Sequence, residues 1–285
     1  MKKILFVLFI FIYALGFSQI DKLNSKEPLV KDPYFKKETN VAVQPGQKVR
    51  FIHSDLFERK PDMYGGNPFF TGNVQFEHQG AMLTADRVIF YEKENFAKAI
   101  GNVLLVTSDG NRITSNEMEY DGNTQRGIAR GKVVLTDAKQ TISTDVLYYD
   151  RVKNTAYFNS GGTINDGRNT MWTQSATYFI DSKTNEFTNN YTIDNAQYRV
   201  EGKNIKHYQN TNIAEFFGPT TIVNKEKPSN YVYTENGKYL MNEKQVYLNK
   251  NSRIYYNGKI LKGDKMFFNQ LTGFGKAEGN VRLDD

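Results

Sequence analysis

The sequence predicts an all-β protein: an elongated β-jelly-roll of about sixteen antiparallel strands in repeats of about 30 residues. Two short sequence patterns recur along the chain with one common period. Apolar residues alternate within each pattern, as they do in strands that bury one face. Asp-Gly and Asn-Gly pairs such as Asp109-Gly110 separate the patterns, and both residue types tolerate the positive φ of tight hairpin turns. We therefore expect a continuous series of short strands joined by turns.

The first pattern is clearest from Leu83 to Tyr91. It recurs seven times, and the eight starting positions are 28 to 32 residues apart: Ile52, Leu83, Ile113, Ile142, Trp172, Val200, Val232 and Leu261. Its apolar positions are i, i+2, i+5 and i+7, so the alternation of a strand is broken once. A mostly polar residue, such as Asp86 or Asp145, stands at i+3. We expect a bulge or corner there, with this side chain bonded to nearby backbone.

The second pattern lies between the copies of the first. It reads Gly-Asn-Val at Gly72, Gly101 and Gly279, with variants beginning at Gly131 and Gly162. Ile193, Ile222 and Ile254 hold the place of its valine in the other units, and these anchors are 27 to 32 residues apart. A glycine there indicates that the backbone bends or approaches another strand closely. Two markers with one period define eight units of two strands each.

Residues 1–18 have the order of a secretory signal peptide. Lys2 and Lys3 precede an apolar run from Ile4 to Gly16, and small residues follow before Gln19. The alternative is a retained membrane anchor, but the run of 13 residues is short for about 30 Å of hydrocarbon. Residues 19–48 are polar, contain three prolines and are predicted to form a flexible lead-in. Residues 49–285 are predicted to be one repeat domain.

The composition argues against several classes of protein. The chain has no cysteine, which excludes a disulfide framework and a lipid-modified cysteine after the signal. Its histidines, His53, His78 and His207, lie in different units without the spacing of metal ligands. No nucleophile or phosphate-loop motif is present. We expect no enzyme, no cofactor, no metal site and no nucleic-acid partner, although a repeat-fold carbohydrate-degrading enzyme remains the alternative.

The alternation places a set of apolar side chains on the inward face of the predicted sheets. Such a face forms either an apolar groove for a lipid or the core of a closed sandwich, and the residues alone favour the core. The candidate groove residues are Val74, Phe76, Leu83, Val103, Leu105, Ile113, Val133, Leu135, Ile142 and Leu147.

The most specific segment of the chain is Leu83-x-Ala85-Asp86, continued by Tyr91 and then by Ala97-x-Ala99-x-Gly101-Asn102-Val103. On these residues the chain resembles the OstA-like family over residues 49–285. That family includes the periplasmic bridge protein of lipopolysaccharide transport and the N-terminal domain of the outer-membrane translocon. From Trp172 onward the copies depart from the pattern, with Gly202 and Lys203 in place of Ala-Asp.

The resemblance implies an open β-jelly-roll whose sheets splay apart. It also implies binding of lipopolysaccharide, with the acyl chains of lipid A in the apolar groove, during outer-membrane assembly. Other lipopolysaccharide-transport proteins, or a second copy of the chain, would dock strand to strand. The expected location is the periplasm, with or without association with the outer membrane. The alternative is a docking module, either alone or as the N-terminal part of a larger outer-membrane assembly protein.

Two further features are left with two interpretations each. Arg126, Arg130 and Lys132 either meet lipid phosphates at a groove rim or form a solvated face. The strand pattern from Gly279 to Asp285 is either an open edge for docking or the interior of a longer repeat.

Overall fold

The structure is a computed structural model that describes residues 32–35, 48–269 and 271–284. The predicted signal peptide, residues 1–18, and most of the predicted lead-in lie outside these ranges. The described residues are almost entirely antiparallel β, with short 3-10 turns at Pro33–Phe35 and Tyr64–Gly66. Among them there is no helix with the length and apolarity needed to cross a membrane.

Twenty-one strands form one sheet in the described residues. In chain order they are β1 (Arg50–His53), β2 (Leu56–Glu58), β3 (Phe69–His78), β4 (Ala81–Tyr91), β5 (Phe96–Val106), β6 (Arg112–Asp121), β7 (Arg126–Thr136), β8 (Thr141–Asp150), β9 (Thr155–Phe158), β10 (Gly162–Asn165), β11 (Thr170–Phe179), β12 (Thr184–Asp194), β13 (Tyr198–Tyr208), β14 (Ile213–Asn224), β15 (Tyr231–Leu240), β16 (Gln245–Lys250), β17 (Ser252–Tyr256), β18 (Lys259–Gly263), β19 (Lys265–Asn269), β20 (Gly275–Glu278) and β21 (Arg282–Asp284).

The predicted sixteen strands correspond to sixteen passes of the chain in the described residues. Eleven passes are continuous strands, and five are interrupted at the corner and count as two strands each: β1 with β2, β9 with β10, β16 with β17, β18 with β19, and β20 with β21. Each pass pairs antiparallel with the passes before and after it in sequence. The all-β jelly-roll predicted from the repeats is therefore confirmed.

The corner divides every pass into two halves. The register slips there, for example between Thr84 and Arg87 of β4 and between Ile100 and Val103 of β5. We call the halves that carry Val103 and Ile113 sheet A, and the other halves sheet B. Hairpin turns join the passes alternately at the free tips of sheet A and at the free tips of sheet B.

Glycine and asparagine shape the corner. Gly101 and Asn102 have φ values of 78° and 44°, and Gly72-Asn73 and Gly279-Asn280 repeat this left-handed pair. A Cβ atom on Gly101 would lie 2.5 Å from the Asp86 carboxylate, so the glycine permits both the bend and the close approach. This confirms the prediction for the second pattern.

Sheets A and B face each other, and one apolar core fills the space between them. The core contains Leu105 and Ile113 from sheet A together with Ala99 and Met118 from sheet B. In β6, Ile113, Ser115, Met118 and Tyr120 are buried, as the interrupted alternation predicts, and Asp121 is also buried at the end of the strand.

A second apolar cluster lies on the outer face of sheet B, where Ile128 points away from the core residue Ala129. Residues 32–35 pack onto it. Phe35 is 4% exposed, and its ring meets that of Phe96 at 5.4 Å between centroids. Four residues of the lead-in predicted over 19–48 are thus held on the sheet by the aromatic side chains of Tyr34 and Phe35.

Asn236-Gly237 corrects the interpretation of the Asn-Gly and Asp-Gly pairs as turns. Asp109-Gly110 and Asn257-Gly258 do lie in tip turns, whereas Asn236 and Gly237 lie inside β15. Gly237 pairs with Phe216 on one side and Leu248 on the other. A Cβ atom there would lie 2.8 Å from the Tyr247 carbonyl oxygen, so this glycine serves close strand approach rather than a hairpin.

Candidate functional site

A single row of apolar side chains crosses the whole of sheet A. Each residue of this row, which we call the ladder, is directly paired with the next one on the neighbouring strand. Such opposed side chains are the nearest neighbours in an antiparallel sheet. In order, the ladder is Phe51, Phe76, Leu83, Leu105, Ile113, Leu135, Ile142, Ile164, Met171, Ile193, Val200, Ile222, Val232, Ile254, Leu261 and Leu283.

The structure brings the ten candidate groove residues together. Six of them belong to the ladder, Val74, Val103 and Val133 lie on sheet A next to the corner, and Leu147 faces them from sheet B. All ten are buried, and all ten belong to the same core cluster. In this conformation they fill the core. Phe76, Leu83 and Leu105 also line a small apolar cavity near Val49 and Arg151, and a larger ligand reaches the other seven only if sheets A and B separate.

The free tips of the two sheets are joined by polar contacts, and we call this line the seam. At its N-terminal end the Val49 amide donates to Asn95 Oδ1 at 3.0 Å. His78 Nδ1 lies 2.8 Å from the Tyr120 hydroxyl, and Arg151 donates to the carbonyl oxygens of His78 and Gln79. Burial raises the pKa of Tyr120 to about 12, so its hydroxyl stays protonated at neutral pH.

The middle of the seam is a fully buried carboxylate. Asp137, in the sheet A turn after β7, accepts hydrogen bonds from the Tyr178 hydroxyl and from Lys183 Nζ at 3.1 Å, both on sheet B. Its side chain is 0% exposed. Burial opposes ionisation, but the hydrogen bonds outweigh it and hold the pKa of Asp137 below its usual value.

The C-terminal part of the seam is a cluster of amide side chains. Gln140 on sheet A exchanges hydrogen bonds with Asn185 on sheet B, at 2.8 and 3.3 Å, and accepts another from Gln209 at 2.5 Å. Lys139 Nζ donates to Asn210 Oδ1 at 2.9 Å just outside the cluster. These are the last hydrogen bonds between the two sets of tips that the structure describes.

Beyond this point the ladder becomes accessible. From Phe76 to Met171 its side chains are buried, whereas Ile193, Val200, Ile222, Val232, Ile254 and Leu261 are only partly buried. Leu283 is 63% exposed. We call these last seven residues the C-terminal trough. The ladder is thus least covered over its last seven residues, while the seam closes the earlier passes.

Basic side chains lie beside the trough. Lys225 and Lys227 occupy the sheet A turn that follows β14, and Lys259 follows the next such turn. All three are exposed, and Lys225 Nζ is 2.6 Å from Asp194 Oδ1. The sheet A tips beside the trough thus present ammonium groups to solvent.

Arg126 and Arg130 face away from both the core and the trough. Arg126 pairs with Asp150 at 3.0 Å, and Arg130 pairs with Asp32 at 2.9 Å. The Arg126 guanidinium also lies 5.5 Å from the centre of the Tyr34 ring. Both arginines therefore hold residues 32–35 on the outer face, an anchoring role that neither sequence interpretation included.

Residues 32–35, 48–269 and 271–284 hold no group of three or more acidic or histidine side chains arranged to bind a metal ion. His53 is exposed beside Asp55, with 3.5 Å between Nε2 and Oδ1. His78 and His207 belong to the seam.

Family models match both parts of the chain. A family model for LptC-related lipopolysaccharide-assembly proteins matches residues 173–283. Among solved structures, LptH from Pseudomonas aeruginosa, described as the LptA-homologous periplasmic component of a lipopolysaccharide transport device, is 13% identical; the match covers 61% of this chain and 92% of that chain, with a TM-score of 0.18. No curated protein matches the chain. The model of OstA-like proteins matches residues 46–203, more than half of the sequence, and the chain therefore belongs to the OstA-like family.

Proposed function

We propose that the protein is a periplasmic component of lipopolysaccharide transport that shields the acyl chains of lipid A on its apolar ladder. The observation that carries this proposal is the uninterrupted course of the ladder from Phe51 to Leu283 and its exposure in the C-terminal trough. An apolar lining of this kind binds acyl chains through burial, without directed hydrogen bonds. The LptC-related match over residues 173–283 covers the trough.

The headgroup of the same lipid would lie at the sheet A tips. Acyl chains in the trough leave the phosphates and sugars of lipid A in water, beside Lys225, Lys227 and Lys259. Ammonium groups attract phosphate even where they are exposed, although salt screens the attraction. This arrangement favours an anionic lipid over a neutral one.

The expected localisation follows from the same proposal. A chain that begins with a signal peptide and binds lipopolysaccharide works in the periplasm, alone or associated with the outer membrane. The protein acts as a carrier and needs no catalytic residue or cofactor.

Photo-crosslinking tests the lipid site directly. A photoreactive residue at Ile254 would face the trough, and one at the neighbouring Arg253 would face the opposite side of the same strand. We expect lipopolysaccharide adducts from Ile254 and none from Arg253. Equal labelling at both positions, or no labelling at either in a protein with a β-type circular dichroism spectrum, would refute lipid binding in the trough.

Edge-strand docking is the proposed way in which the protein meets its partners. Phe51 and Leu283, the two ends of the ladder, are 45% and 63% exposed on β1 and β21. A strand edge can pair with another chain, and end-to-end pairing would join two ladders into one. The partner would be another lipopolysaccharide-transport protein or a second copy.

A charge at each end of the ladder tests the docking. We expect Phe51→Asp and Leu283→Asp each to weaken association with partner or copy, as measured by light scattering over a range of concentrations. Exposed Val152 on a sheet B tip provides the control Val152→Asp, which should leave association unchanged. If docking is lost while lipid adducts at Ile254 persist, the two activities are separate. If the Ile254 probe never reacts but docking occurs, the protein is a docking module.

A further inference from the structure

The seam differs in chemistry from the core that it closes. The core is apolar, whereas the contacts across the seam are hydrogen bonds and ion pairs of Asp137, Gln140, Tyr178, Lys183 and Gln209. The partners are separated by 41 to 73 residues, so they come from passes that are not neighbours in the sheet. Water can replace each of these contacts when the tips part, because a hydrogen bond exchanged for one to water costs little net free energy.

Strand pairing does not prevent the tips from parting. Each pass runs continuously around the corner or is interrupted only there, so sheets A and B stay joined along that line. Separation of the tips breaks the seam contacts and the apolar contact between the sheets. It leaves the hydrogen bonds between neighbouring strands intact. The corner can therefore act as a hinge, with the seam as the opposite, opening edge.

The hydrogen bonding of the seam is incomplete at the end that adjoins the C-terminal trough. His207 Nδ1 and Gln209 Oε1 are buried and have no hydrogen-bond partner. Burial of an unsatisfied polar atom destabilises the closed state, and water relieves this cost when the tips part. The end of the seam next to the open trough is thus the end that is easiest to open.

We propose that the seam is a lateral gate through which lipid passes from the C-terminal trough onto the buried part of the ladder. Opening begins at His207 and Gln209 and proceeds toward Asp137. Acyl chains then replace the contacts between sheets A and B along Met171, Ile142 and Leu135. This inference rests on the proposed lipid function and adds the route by which the occluded residues are reached.

The chain has no cysteine, so two introduced thiols can be joined specifically. In the double variant Lys139→Cys with Asn210→Cys, a short bis-methanethiosulfonate linker, which reduction removes, would staple the seam between two positions whose native side chains are in contact. The matched control is Asn212→Cys with Asn242→Cys, which joins two neighbouring sheet B tips, 3.0 Å apart between side-chain atoms, without crossing the seam. Lys139, Asn210 and Asn242 are exposed and Asn212 is partly buried, and none of the four belongs to the core.

The readout is photo-crosslinking of lipopolysaccharide from Leu135, inside the gate, and from Ile254, in the trough. With the seam staple in place, we expect loss of the Leu135 adduct and retention of the Ile254 adduct; reduction of the staple restores the Leu135 adduct. The control staple should change neither. Leu135 adducts that are equal with and without the staple, or absent in the reduced protein while Ile254 reacts, overturn the gate. Loss of adducts at both positions in the reduced protein refutes the lipid function itself.

A second measurement does not depend on a probe in the core. Asn185 is fully buried in the seam, so the thiol of Asn185→Cys reacts with maleimide only when the tips part. We expect added lipopolysaccharide to increase the rate of this reaction, and the same lipid to leave the rate at an exposed Asn210→Cys unchanged. A rate at Asn185→Cys that is insensitive to lipid contradicts the proposal.

Discussion

Asp86 accepts a hydrogen bond from the side-chain amide of Asn102 on the next strand, with 2.9 Å between Oδ2 and Nδ2. The same pair recurs at Asp55 with Asn73 and at Asp264 with Asn280, at 2.9 and 2.8 Å. The polar residue of the first pattern and the Gly-Asn of the second are therefore two halves of one interaction at the corner. The sequence-based expectation was a bond to nearby backbone, and the structure gives these carboxylates a cross-strand partner.

The close contact at this corner predicts that Gly101→Ala lowers the free energy of unfolding strongly. The substitution places a Cβ atom against Asp86 and requires a left-handed conformation of alanine, so we expect the free energy of unfolding to fall by about 2–4 kcal/mol in urea denaturation. The control Gly110→Ala also has a positive φ, but its Cβ would meet nothing within 4 Å, and it should cost about 1–2 kcal/mol. Similar losses for both variants would show that the close approach is unimportant.

The burial of the ladder predicts that alanine substitutions destabilise the protein strongly in its buried part and weakly at its exposed C-terminal end. Leu135 is 1% exposed, and Leu135→Ala should lower the free energy of unfolding by about 2–5 kcal/mol because it leaves a cavity. Leu283→Ala, at the exposed end, should cost less than about 1 kcal/mol. Urea denaturation of both variants measures the difference. A comparable loss for the two would mean that the trough is as closed as the core.

His207 predicts a decline of stability in mild acid. Burial lowers its pKa below the ordinary value of 6.5, partly offset by Asp166. The unfolded chain therefore takes up a proton before the folded one, and the free energy of unfolding should fall as the pH drops from 6.5 to about 5. The pKa of Asp166 is also lowered, since hydrogen bonds outweigh burial, and this carboxyl extends the decline only at lower pH.

The measurement is thermal unfolding of the protein and of His207→Gln across this pH range. The variant should lose the part of the decline between pH 6.5 and about 5. His53→Gln, at an exposed histidine, is the control and should keep it. If the stability of His207→Gln declines as much as that of the unmodified protein, other groups cause the decline.

Residues 32–35 predict a stabilising contribution from outside the repeat domain. Phe35→Ala removes a ring that is packed against Phe96, and we expect a loss of up to about 3 kcal/mol in the free energy of unfolding. Asp32→Asn breaks only the ion pair with Arg130 and should cost less than about 1 kcal/mol. Phe57→Ala, at a side chain that is 58% exposed, is the control. No loss with Phe35→Ala would indicate that this segment does not contribute to the folded state.

Much of the fold could be read from the sequence because it is local. Successive passes pair with each other, so the period, the alternation and the break at the corner all appear within one unit, as at Leu83 to Val103. All ten candidate groove residues were placed on the inward face by this alternation, and the structure buries them all in one core. Their contact with a lipid remains a prediction.

The seam could not be predicted in the same way. Its partners, such as Gln140 and Asn185, are 45 residues apart, and their pairing depends on how sheet B is offset against sheet A. Neither residue stands out from the many other amides of the chain. Asp32 and Arg130 are 98 residues apart, so nothing in the local pattern around Pro33 indicated that the segment is anchored.

The order of pairing along the chain has a consequence for biogenesis. A chain exported with its N-terminus first can add each pass to the edge of those already formed, since every pass needs only its predecessor. The contacts of Tyr178 and Lys183 with Asp137 must wait until more than 40 further residues have arrived. During that interval the seam is not yet formed, and the apolar face of the passes already made is uncovered.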